Sequence, residues 1–393
     1  MEFNPYAPAL HRDPYPVYRR LREEFPVHRN AELDFWTLSR YDDVLAALRD
    51  PALYISGKGI AVGIGDMGER FTRGVPLLIM MDGKDHTQLR ALVSGAFAPH
   101  RVAALEPMIR GVTRELLDVL CKKPDPDLVL DFSNPLPTIV IAELLGVPAE
   151  DRERFKAWSN AITQFDPANP RGAHPASQSG PGMELARYLM GAIEARRAEP
   201  RDDLLSTLLA TRVEGRCLTQ PEILGFAFLL LVAGHETTTN LISNAAVLLD
   251  RHPDERRTLL DDPSRIPCAV EEFLRYDPPV QGLARTTTRE VGLHGTTIPE
   301  GAKVLLLFAS ANRDGRYFAD PERLDVTRTP NPHLAFGFGH HYCLGSGLAR
   351  LEARVAFEEL LARMPGYRLR DPEVERVCSG PIRGAVRLPI APS

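Results

Sequence analysis

A long apolar segment in the second half of the chain is the strongest constraint on its fold. Thr219-Gln-Pro-Glu222 has the pattern of a capping box, and no helix breaker follows it until about Arg251. A helix over this segment is roughly 45 Å long, and its first half is apolar nearly all round. The sequence therefore predicts a buried helix that crosses a whole domain.

The composition is that of an ordinary globular protein. The chain has 393 residues, of which 44% are hydrophobic, and a formal net charge of −5, which gives no reason to expect a nucleic-acid partner. Its five cysteines are odd in number and form no C-x-x-C pair, which favours a reduced intracellular chain. The N-terminus does not resemble a signal peptide, and the longest apolar run, residues 223 to 234, is shorter than the roughly 20 residues that a membrane span needs. We expect a soluble, cytoplasmic protein.

Helical patterns dominate the remainder of the chain. Short β-like runs occur near both ends, so the sequence predicts a mainly α protein with a small β region. The Pro-, Gly- and Ser-rich segment 165–182 is the best candidate for a linker. The helices on both sides of it indicate one α-rich body, which favours a surface loop and a single domain over residues 1–393.

The centre of the long helix contains residues that are unusual in a buried helix. The stretch Ala233-Gly-His-Glu-Thr-Thr-Thr239 places two small residues beside a carboxylate and three hydroxyls. Such a departure from core composition is a reason to suspect function. The alternative is a packing notch whose hydroxyls bond within the helix, and this segment taken alone favours that alternative.

A second unusual stretch, FGFGHHYCLG over residues 336–345, precedes an amphipathic helix. Cys343 thus lies just before a helix N-terminus, where the helix dipole and free N–H groups favour a thiolate. The glycines around it allow the backbone to approach the sulfur or a flat ligand, as in a haem site. A zinc site formed by His340, His341 and Cys343 would lack a fourth ligand at finger-like spacing. A small buried cysteine would leave the glycines and histidines unexplained.

Together these motifs resemble those of the cytochrome P-450 family. FGFGHHYCLG matches the family's haem signature F-x-x-G-x-x-x-C-x-G, and AGHETT is similar to its oxygen-activating helix motif. Glu272-Phe-Leu-Arg275 resembles the E-x-x-R pair, and Pro321-Glu-Arg323 resembles the segment whose arginine completes a triad with it. The resemblance runs from end to end of the chain. It implies a mainly α fold in which haem b lies between the long central helix and the Cys-bearing loop and helix.

The resemblance also implies roles for individual residues. Cys343 is implied to be the axial ligand of the haem iron, and Glu236 and Thr237 match the acid–alcohol pair that delivers protons during oxygen activation. The network of Glu272, Arg275 and Arg323 is implied to be structural; an exposed helix pair is the alternative for its first two members. The residues implied to contact the haem are Phe336, Gly339 and Gly345 in the loop, Ala233 and Gly234 in the helix, and His86, Arg90, Arg285 and His341 at the propionates.

His86 and Arg90 are four residues apart and share a helix face, which independently supports part of the propionate assignment, although a solvated surface pair is also plausible.

Residues implied to line the substrate pocket are mostly apolar or small. The positions implied to form the pocket walls are residues 55–78 and 165–182, Ala233, Val280 to Leu283, and Ser379 to Ile382.

The implied function is that of a haem-thiolate monooxygenase. Such an enzyme would hydroxylate or epoxidise a hydrophobic molecule of terpenoid, steroid, fatty-acid or polyketide type with O2 and two electrons. Because the resemblance occupies the whole chain, we expect a monomer that receives electrons from a separate ferredoxin or flavodoxin and its NAD(P)H reductase. Two alternatives stay open. A peroxide-driven haem oxygenase would not need the electron partner, and a Cys-ligated haem sensor would not need Glu236 and Thr237.

Overall fold

Helices make up most of the chain. The computed structural model describes residues 2–63, 74–163, 180–377, 380 and 382–391. Residues 164–179 of the predicted surface loop, residues 64–73 and Ser379 lie outside the described residues. The described helices are α1 (Pro8–Arg12), α2 (Tyr15–Glu24), α3 (Tyr41–Arg49), α4 (Gly83–Ser94), α5 (Pro99–Ala104), α6 (Glu106–Leu120), α7 (Pro135–Leu144), α8 (Arg152–Thr163), α9 (Pro181–Ala198), α10 (Leu204–Ala210), α11 (Gln220–Arg251), α12 (Pro253–Asp261), α13 (Ile266–Tyr276), α14 (Phe308–Ala311) and α15 (Ser346–Arg363).

The β structure is small, as predicted. A mixed sheet has the strand order β1-β2-β9-β6-β3, in which β2 and β9 are parallel and the other neighbours are antiparallel. Among the described residues, three short antiparallel pairs lie outside it, namely β4–β5, β7–β8 and β10–β11. The described strands are β1 (Val27–Asn30), β2 (Phe35–Leu38), β3 (Tyr54–Ile55), β4 (Arg212–Val213), β5 (Arg216–Cys217), β6 (Leu283–Thr287), β7 (Val291–Leu293), β8 (Thr296–Ile298), β9 (Lys303–Leu306), β10 (Arg368–Leu369) and β11 (Ile390–Ala391).

The long helix α11 is the central element. The capping box at its start is present: the Thr219 N–H donates to Glu222 Oε2 at 2.8 Å, and the Thr219 side chain accepts from the Glu222 N–H. The helix has 32 residues and ends at Arg251, so the predicted bounds are confirmed. It contacts α7, α8 and α9 on one part of its length and α13 and α15 on another.

Two apolar clusters surround α11, one at each half. The first half, residues 223–231, packs with residues of α4 and α7 to α10. The second half, residues 241–249, packs with residues of α6, α7, α12, α13 and α15. Residues 233–240 lie between them, belong to neither cluster and contain the unusual polar motif. The fold therefore leaves this motif between two cores, where a ligand can reach it.

One predicted helix is divided in the structure. The sequence predicts one helix over residues 102–121, whereas α5 ends at Ala104 and α6 begins at Glu106. Pro107 lies in the first turn of α6, where its missing N–H costs no helical hydrogen bond, so the proline starts a new helix. Within the described residues, no helix combines the length and apolar character that crossing a membrane requires.

Candidate active site

The centre of α11 has an accessible face inside the fold. Ala233 is exposed and Thr237 is partly exposed, whereas Leu231 and Leu241 are buried on either side. Because helices pack around α11 on several sides, this exposure indicates an internal space. The Thr237 hydroxyl donates to the Ala233 carbonyl oxygen at 2.7 Å, one turn back, as the sequence suggests. Its oxygen keeps lone pairs that can accept a hydrogen bond in that space.

Glu236 is suited to exchange protons near neutral pH. Burial raises its pKa to about 7, because the surrounding protein disfavours the charged form. Its carboxyl has no hydrogen-bond partner among the described residues, although part of the side chain is accessible. A group with a pKa near the working pH can both take up and release a proton.

The two residues between Ala233 and Glu236 have packing roles. A Cβ added to Gly234 would lie 2.9 Å from Ile141 Cδ1 of α7, so glycine allows α11 to pack closely on this side chain. The predicted contact of Gly234 with haem stays a prediction. His235 is buried, and its Nδ1 lies 2.8 Å from Ser159 Oγ of α8. Burial lowers the pKa of His235 to about 4, so the ring is neutral at physiological pH.

Cys343 presents an accessible thiol just before α15. The surrounding protein raises the pKa of the thiol by desolvation, although the side chain is exposed, and this combination is typical of a group that faces an internal space. The N–H groups of Gly345 and Ser346 and the positive charges of Arg90 and Arg350 act in the opposite direction. The loop thus surrounds the sulfur with groups that would stabilise a thiolate once it binds a metal.

The turn before the cysteine depends on its glycines and on Phe336. The Cys343 N–H donates to the Phe336 carbonyl oxygen at 2.9 Å, which closes the loop. Gly339 has φ +65°, and an added Cβ would lie 3.1 Å from the Leu48 carbonyl oxygen. Gly345 has an ordinary φ of −82°, and an added Cβ would contact no described atom within 4 Å. The described protein therefore explains Gly339 but gives no reason for Gly345.

Two of the predicted propionate ligands meet in a cluster of histidines. His86 is fully buried, and neither ring nitrogen has a hydrogen-bond partner among the described residues. Its ring centroid lies 4.1 Å from that of His340 and 4.3 Å from that of His341. Burial and the neighbouring histidines lower the pKa of His86 to about 3. Buried ring nitrogens without partners indicate a site that a polar ligand group completes.

The two predicted arginines lie at the edges of this cluster. Arg90 donates from Nη2 to the Tyr342 carbonyl oxygen at 2.6 Å, beside Cys343. Arg285 is buried on β6, its Nη1 donates to the Ala284 carbonyl oxygen at 2.8 Å, and burial lowers its pKa to about 10. Within the described residues no ion pair within 4 Å involves the Arg285 guanidinium. A buried cation of this kind favours an anionic ligand group.

Sequence reasoning did not find Asp82, which organises the same site. Its carboxylate accepts from the N–H groups of Ser56 at 2.8 Å and Gly57 at 2.6 Å, and it lies 3.9 Å from His341 Nε2. Asp82 is the residue immediately before α4, four residues before His86. That N-cap position next to a predicted ligand is the signal that could have identified it. Asp82 therefore joins the loop around residues 56–57 to the histidine cluster.

The predicted pair of Glu272 and Arg275 is fully buried. Arg275 donates from Nε and Nη2 to the two oxygens of Glu272, at 2.7 Å in each case. Its remaining donors reach the carbonyl oxygens of Asn312, Pro321 and Arg323 at 2.8–3.0 Å. Two N–H groups of the guanidinium thus bind Glu272 on the same helix, and the other three join α13 to residues 312–323, which precede the cysteine loop.

The predicted third member of this network is wrong. The side chain of Arg323 is exposed, and only its carbonyl oxygen takes part. Arg328 lies at the buried carboxylate instead, with its Nε 3.3 Å from Glu272 Oε2. The four residues between the two arginines form a turn, in which the Arg328 N–H donates to the Asp325 carbonyl oxygen at 3.0 Å and the Asp325 N–H donates to Glu272 Oε1 at 2.9 Å. Motif spacing alone does not show which arginine such a turn directs inward.

The predicted pocket walls come together in part. Val280 and Ile382 form an isolated antiparallel bridge, and Leu283 begins β6 a few residues later. All three side chains are partly exposed within otherwise buried segments. Residues 165–179 and Ser379, also predicted to line the pocket, lie outside the described residues. The described walls are thus apolar.

The described residues fit a haem. An accessible thiol precedes a helix, a buried arginine and a buried histidine have polar atoms free for carboxylates, and a small residue is exposed at the centre of α11. No described group of three or more His, Cys, Asp or Glu residues could hold a metal ion. The zinc alternative therefore finds no support, whereas a porphyrin supplies the ligands that the chain does not. Fold and site together define a haem-thiolate protein.

Comparisons with known proteins agree with this class. The sequence profile of the family described as cytochrome P-450 matches residues 266–373. Cytochrome P-450 130 of Mycobacterium tuberculosis is 42% identical over 370 residues, covering 92% of this chain and 91% of that protein. Vitamin D(3) 25-hydroxylase of Pseudonocardia autotrophica is 42% identical over 392 residues, covering 98% and 95%.

A solved structure agrees over nearly the whole length as well. CYP109E1 from Bacillus megaterium in complex with testosterone has a TM-score of 0.86 and 37% identity, covering 97% of this chain and 99% of that one. The chain belongs to the cytochrome P-450 family. It is a monooxygenase whose cofactor is haem b, and the prediction of an enzyme is confirmed over that of a haem sensor.

Proposed function

We propose that the protein hydroxylates or epoxidises a hydrophobic small molecule with O2 and two electrons from a separate ferredoxin or flavodoxin and its NAD(P)H reductase. The observation that carries this proposal is the pair Glu236 and Thr237 at the accessible centre of α11. Reduction of O2 with electrons consumes protons, and this pair can supply them. A peroxide-driven reaction brings its protons with the oxidant and would not require the pair.

Haem, when bound, supplies the iron at which O2 is reduced and cleaved. Cys343 would hold the iron through its thiolate. The ring nitrogens of His86 and the guanidinium of Arg285 would hold the propionates, with His341 and Arg90 beside them. These assignments rest on the free polar atoms of His86 and Arg285 and on the accessible thiol.

The protons would travel along α11. Glu236, with a pKa of about 7, takes a proton from water and releases it towards the neighbouring hydroxyl. The hydrogen of Thr237 is held by the Ala233 carbonyl oxygen, so the hydroxyl oxygen is oriented to accept from a water or a protonated group. Thr237 would thus hold the proton donor at a defined place.

The substrate class that we propose is a large, apolar, steroid-like molecule. Val280, Leu283 and Ile382 offer apolar surface, and two similar proteins are named for vitamin D3 and for a complex with testosterone. We propose a single domain, since α8 and α9, on either side of residues 164–179, contact each other and α11. The four described cysteines are free, which supports a cytoplasmic location.

The test is product formation under ¹⁸O2 with a surrogate ferredoxin, its reductase and NADPH. Testosterone, vitamin D3 and a long-chain fatty acid are first screened for a shift of the haem absorption band, and the ligands that bind are then incubated. One ¹⁸O atom per product molecule is the expected result. Product that forms only with added hydrogen peroxide would identify the peroxide-driven alternative and overturn the proposal.

A further inference from the structure

Two segments far apart in the chain meet at the apolar wall of the pocket. The Arg383 N–H donates to the Pro279 carbonyl oxygen at 2.8 Å, next to the bridge between Val280 and Ile382. Pro279 and Arg383 are buried, whereas Val280 and Ile382 are partly exposed. The spacing between the two sides of the wall therefore depends on this pairing.

The Arg383 side chain extends away from the wall and joins two other elements. Its Nε donates to Asp277 Oδ1 at 2.9 Å, and both side chains are buried. Its Nη1 donates to the carbonyl oxygen of His11, in α1, and its Nη2 lies 3.4 Å from that of Arg12. One arginine thus connects α1, the residue after α13 and the wall.

Helix α11 holds the same segment from the other side. Asn244 Nδ2 donates to the Arg383 carbonyl oxygen at 3.0 Å and lies 3.3 Å from that of Asp277. A Cβ added to Gly384 would overlap the Asn240 side chain, so the backbone lies directly on α11 there. Thr237, Asn240 and Asn244 are three and four residues apart and share one helix face. The wall segment is therefore placed relative to Thr237.

We propose that Arg383 is a positioning residue that sets the place of Ile382 against Val280 and Thr237, and so determines which ligands fit beside the haem. The proposal rests on the proposed function in one respect, namely that the apolar wall contacts the substrate. Arg383 itself touches neither substrate nor haem in this scheme. Its effect passes through the backbone of residues 382–384 and through Asn244.

The charge and the shape of Arg383 have separate parts in this arrangement. Asp277 also accepts from the Tyr15 hydroxyl at 2.5 Å, and the Arg313 guanidinium lies 3.4 Å from the ring centroid of Tyr15. Because the Asp277 carboxylate is buried against Arg383, it needs a cation at position 383, whereas the carbonyl oxygens of α1 need the planar guanidinium fork. Lysine would keep the ion pair and lose the fork, so Arg383→Lys tests positioning without stranding the buried carboxylate.

The experiment measures binding of two iron-coordinating probes to the haem-loaded protein by the shift of its absorption band. Imidazole needs little space beyond the iron, whereas 4-phenylimidazole adds a phenyl ring that must fit into the pocket. Arg383→Lys is expected to weaken 4-phenylimidazole binding by about tenfold, which corresponds to about 1.4 kcal/mol, and to leave imidazole binding unchanged. Neither O2 nor an electron partner takes part, so failure of the proposed reaction would not affect this result.

A matched control comes from a second buried arginine–aspartate pair. Arg196 in α9 donates from Nε to Asp203 Oδ2, just before α10, at 2.8 Å, and both side chains are as buried as those of Arg383 and Asp277. Arg196→Lys is expected to change the binding of neither probe. Should Arg383→Lys fail to bind haem, Asn244→Ala serves as the second variant, with the same selective loss expected. Equal loss for both probes, or no loss in a haem-loaded variant, would overturn the proposal.

Discussion

At the scale of single residues, Thr237 provides the sharpest test of the catalytic assignment. Valine keeps its volume and removes the hydroxyl, so haem binding and reduction are expected to survive in Thr237→Val. Protons would no longer be directed correctly, and NAD(P)H consumption would yield hydrogen peroxide in place of product, with a fall in product of about tenfold or more. The measurement is the ratio of product to peroxide per NAD(P)H consumed.

The neighbouring threonine supplies the control for this experiment. Thr238 is buried on another face of α11, so Thr238→Val is expected to leave the ratio of product to peroxide near that of the parent protein. A change of the ratio in Thr238→Val and not in Thr237→Val would transfer the role to Thr238.

Glu352 of α15 makes stability depend on pH. It is 2% exposed, its Oε2 has no partner among the described residues, and burial raises its pKa from 4.5 to about 8. Between these values the folded state binds the proton more strongly than the unfolded chain. The contribution of Glu352 to the free energy of unfolding is therefore most favourable below pH 4.5. It becomes less favourable as pH rises to about 8, by at most about 1.4 kcal/mol per pH unit.

We expect Glu352→Gln to remove this dependence. Denaturant unfolding should show a gain in stability over the parent protein that grows from none near pH 4.5 to its maximum near pH 8. Glu359 on the same helix accepts from Arg110 and Arg114, which outweighs burial and lowers its pKa. Glu359→Gln should instead destabilise the protein at neutral pH. A constant difference at all pH values would contradict the assignment to Glu352.

At the scale of elements, an ion network joins α6 to α15. Arg110 contacts Glu106 at 2.7 Å, Glu358 at 2.6 Å and Glu359 at 2.9 Å, and Arg354 also contacts Glu358. Because one arginine pairs with several glutamates and its side chain is only 24% exposed, this network stabilises the fold more than isolated surface pairs do. Arg110→Met is expected to lower the free energy of unfolding by about 1–2 kcal/mol at low salt and by less at high salt.

The same two helices contain a matched single pair. Arg363 contacts Asp118, whose side chain is 59% exposed. Arg363→Met should change the free energy of unfolding by less than about 0.5 kcal/mol, since isolated exposed pairs contribute little. Equal effects of the two substitutions in urea unfolding would show that Arg110 acts as a single surface pair.

At the scale of the whole molecule, Glu272 gathers segments that lie far apart in sequence. It binds Arg275 on its own helix, accepts from Asn331 Nδ2 at 3.0 Å, and lies beside Arg328. Arg328→Ala is expected to lower the free energy of unfolding by about 1–3 kcal/mol, because Glu272 loses a buried charged partner. Urea unfolding and haem content per chain measure the effect.

The arginine that the motif suggested as the partner of Glu272 serves as the comparison for Arg328. Arg323 is exposed and contributes its carbonyl oxygen, which Arg323→Ala preserves, so this variant should stay within about 0.5 kcal/mol of the parent protein. A large loss in Arg323→Ala with a normal Arg328→Ala would restore the arrangement that the motif suggests.

What local sequence determines about this protein is its elements and its chemistry. The capping box at Thr219, the run to Arg251 and the place of Cys343 before α15 are set by residues close together in the chain, so they could be predicted. The motifs likewise indicated the family and its cofactor. Capping, periodicity and motif spacing act over a few residues, and a reader of the sequence sees all the groups involved.

Contacts between distant segments were decided by the tertiary structure alone. The turn after Pro321 brings Arg328 and not Arg323 to Glu272, and Asp82 reaches back to Ser56. Burial produces the pKa of Glu236, which no property of the isolated side chain predicts. The physical reason is the same in each case: desolvation and side-chain pairing depend on which surfaces pack together, and that depends on the whole chain at once.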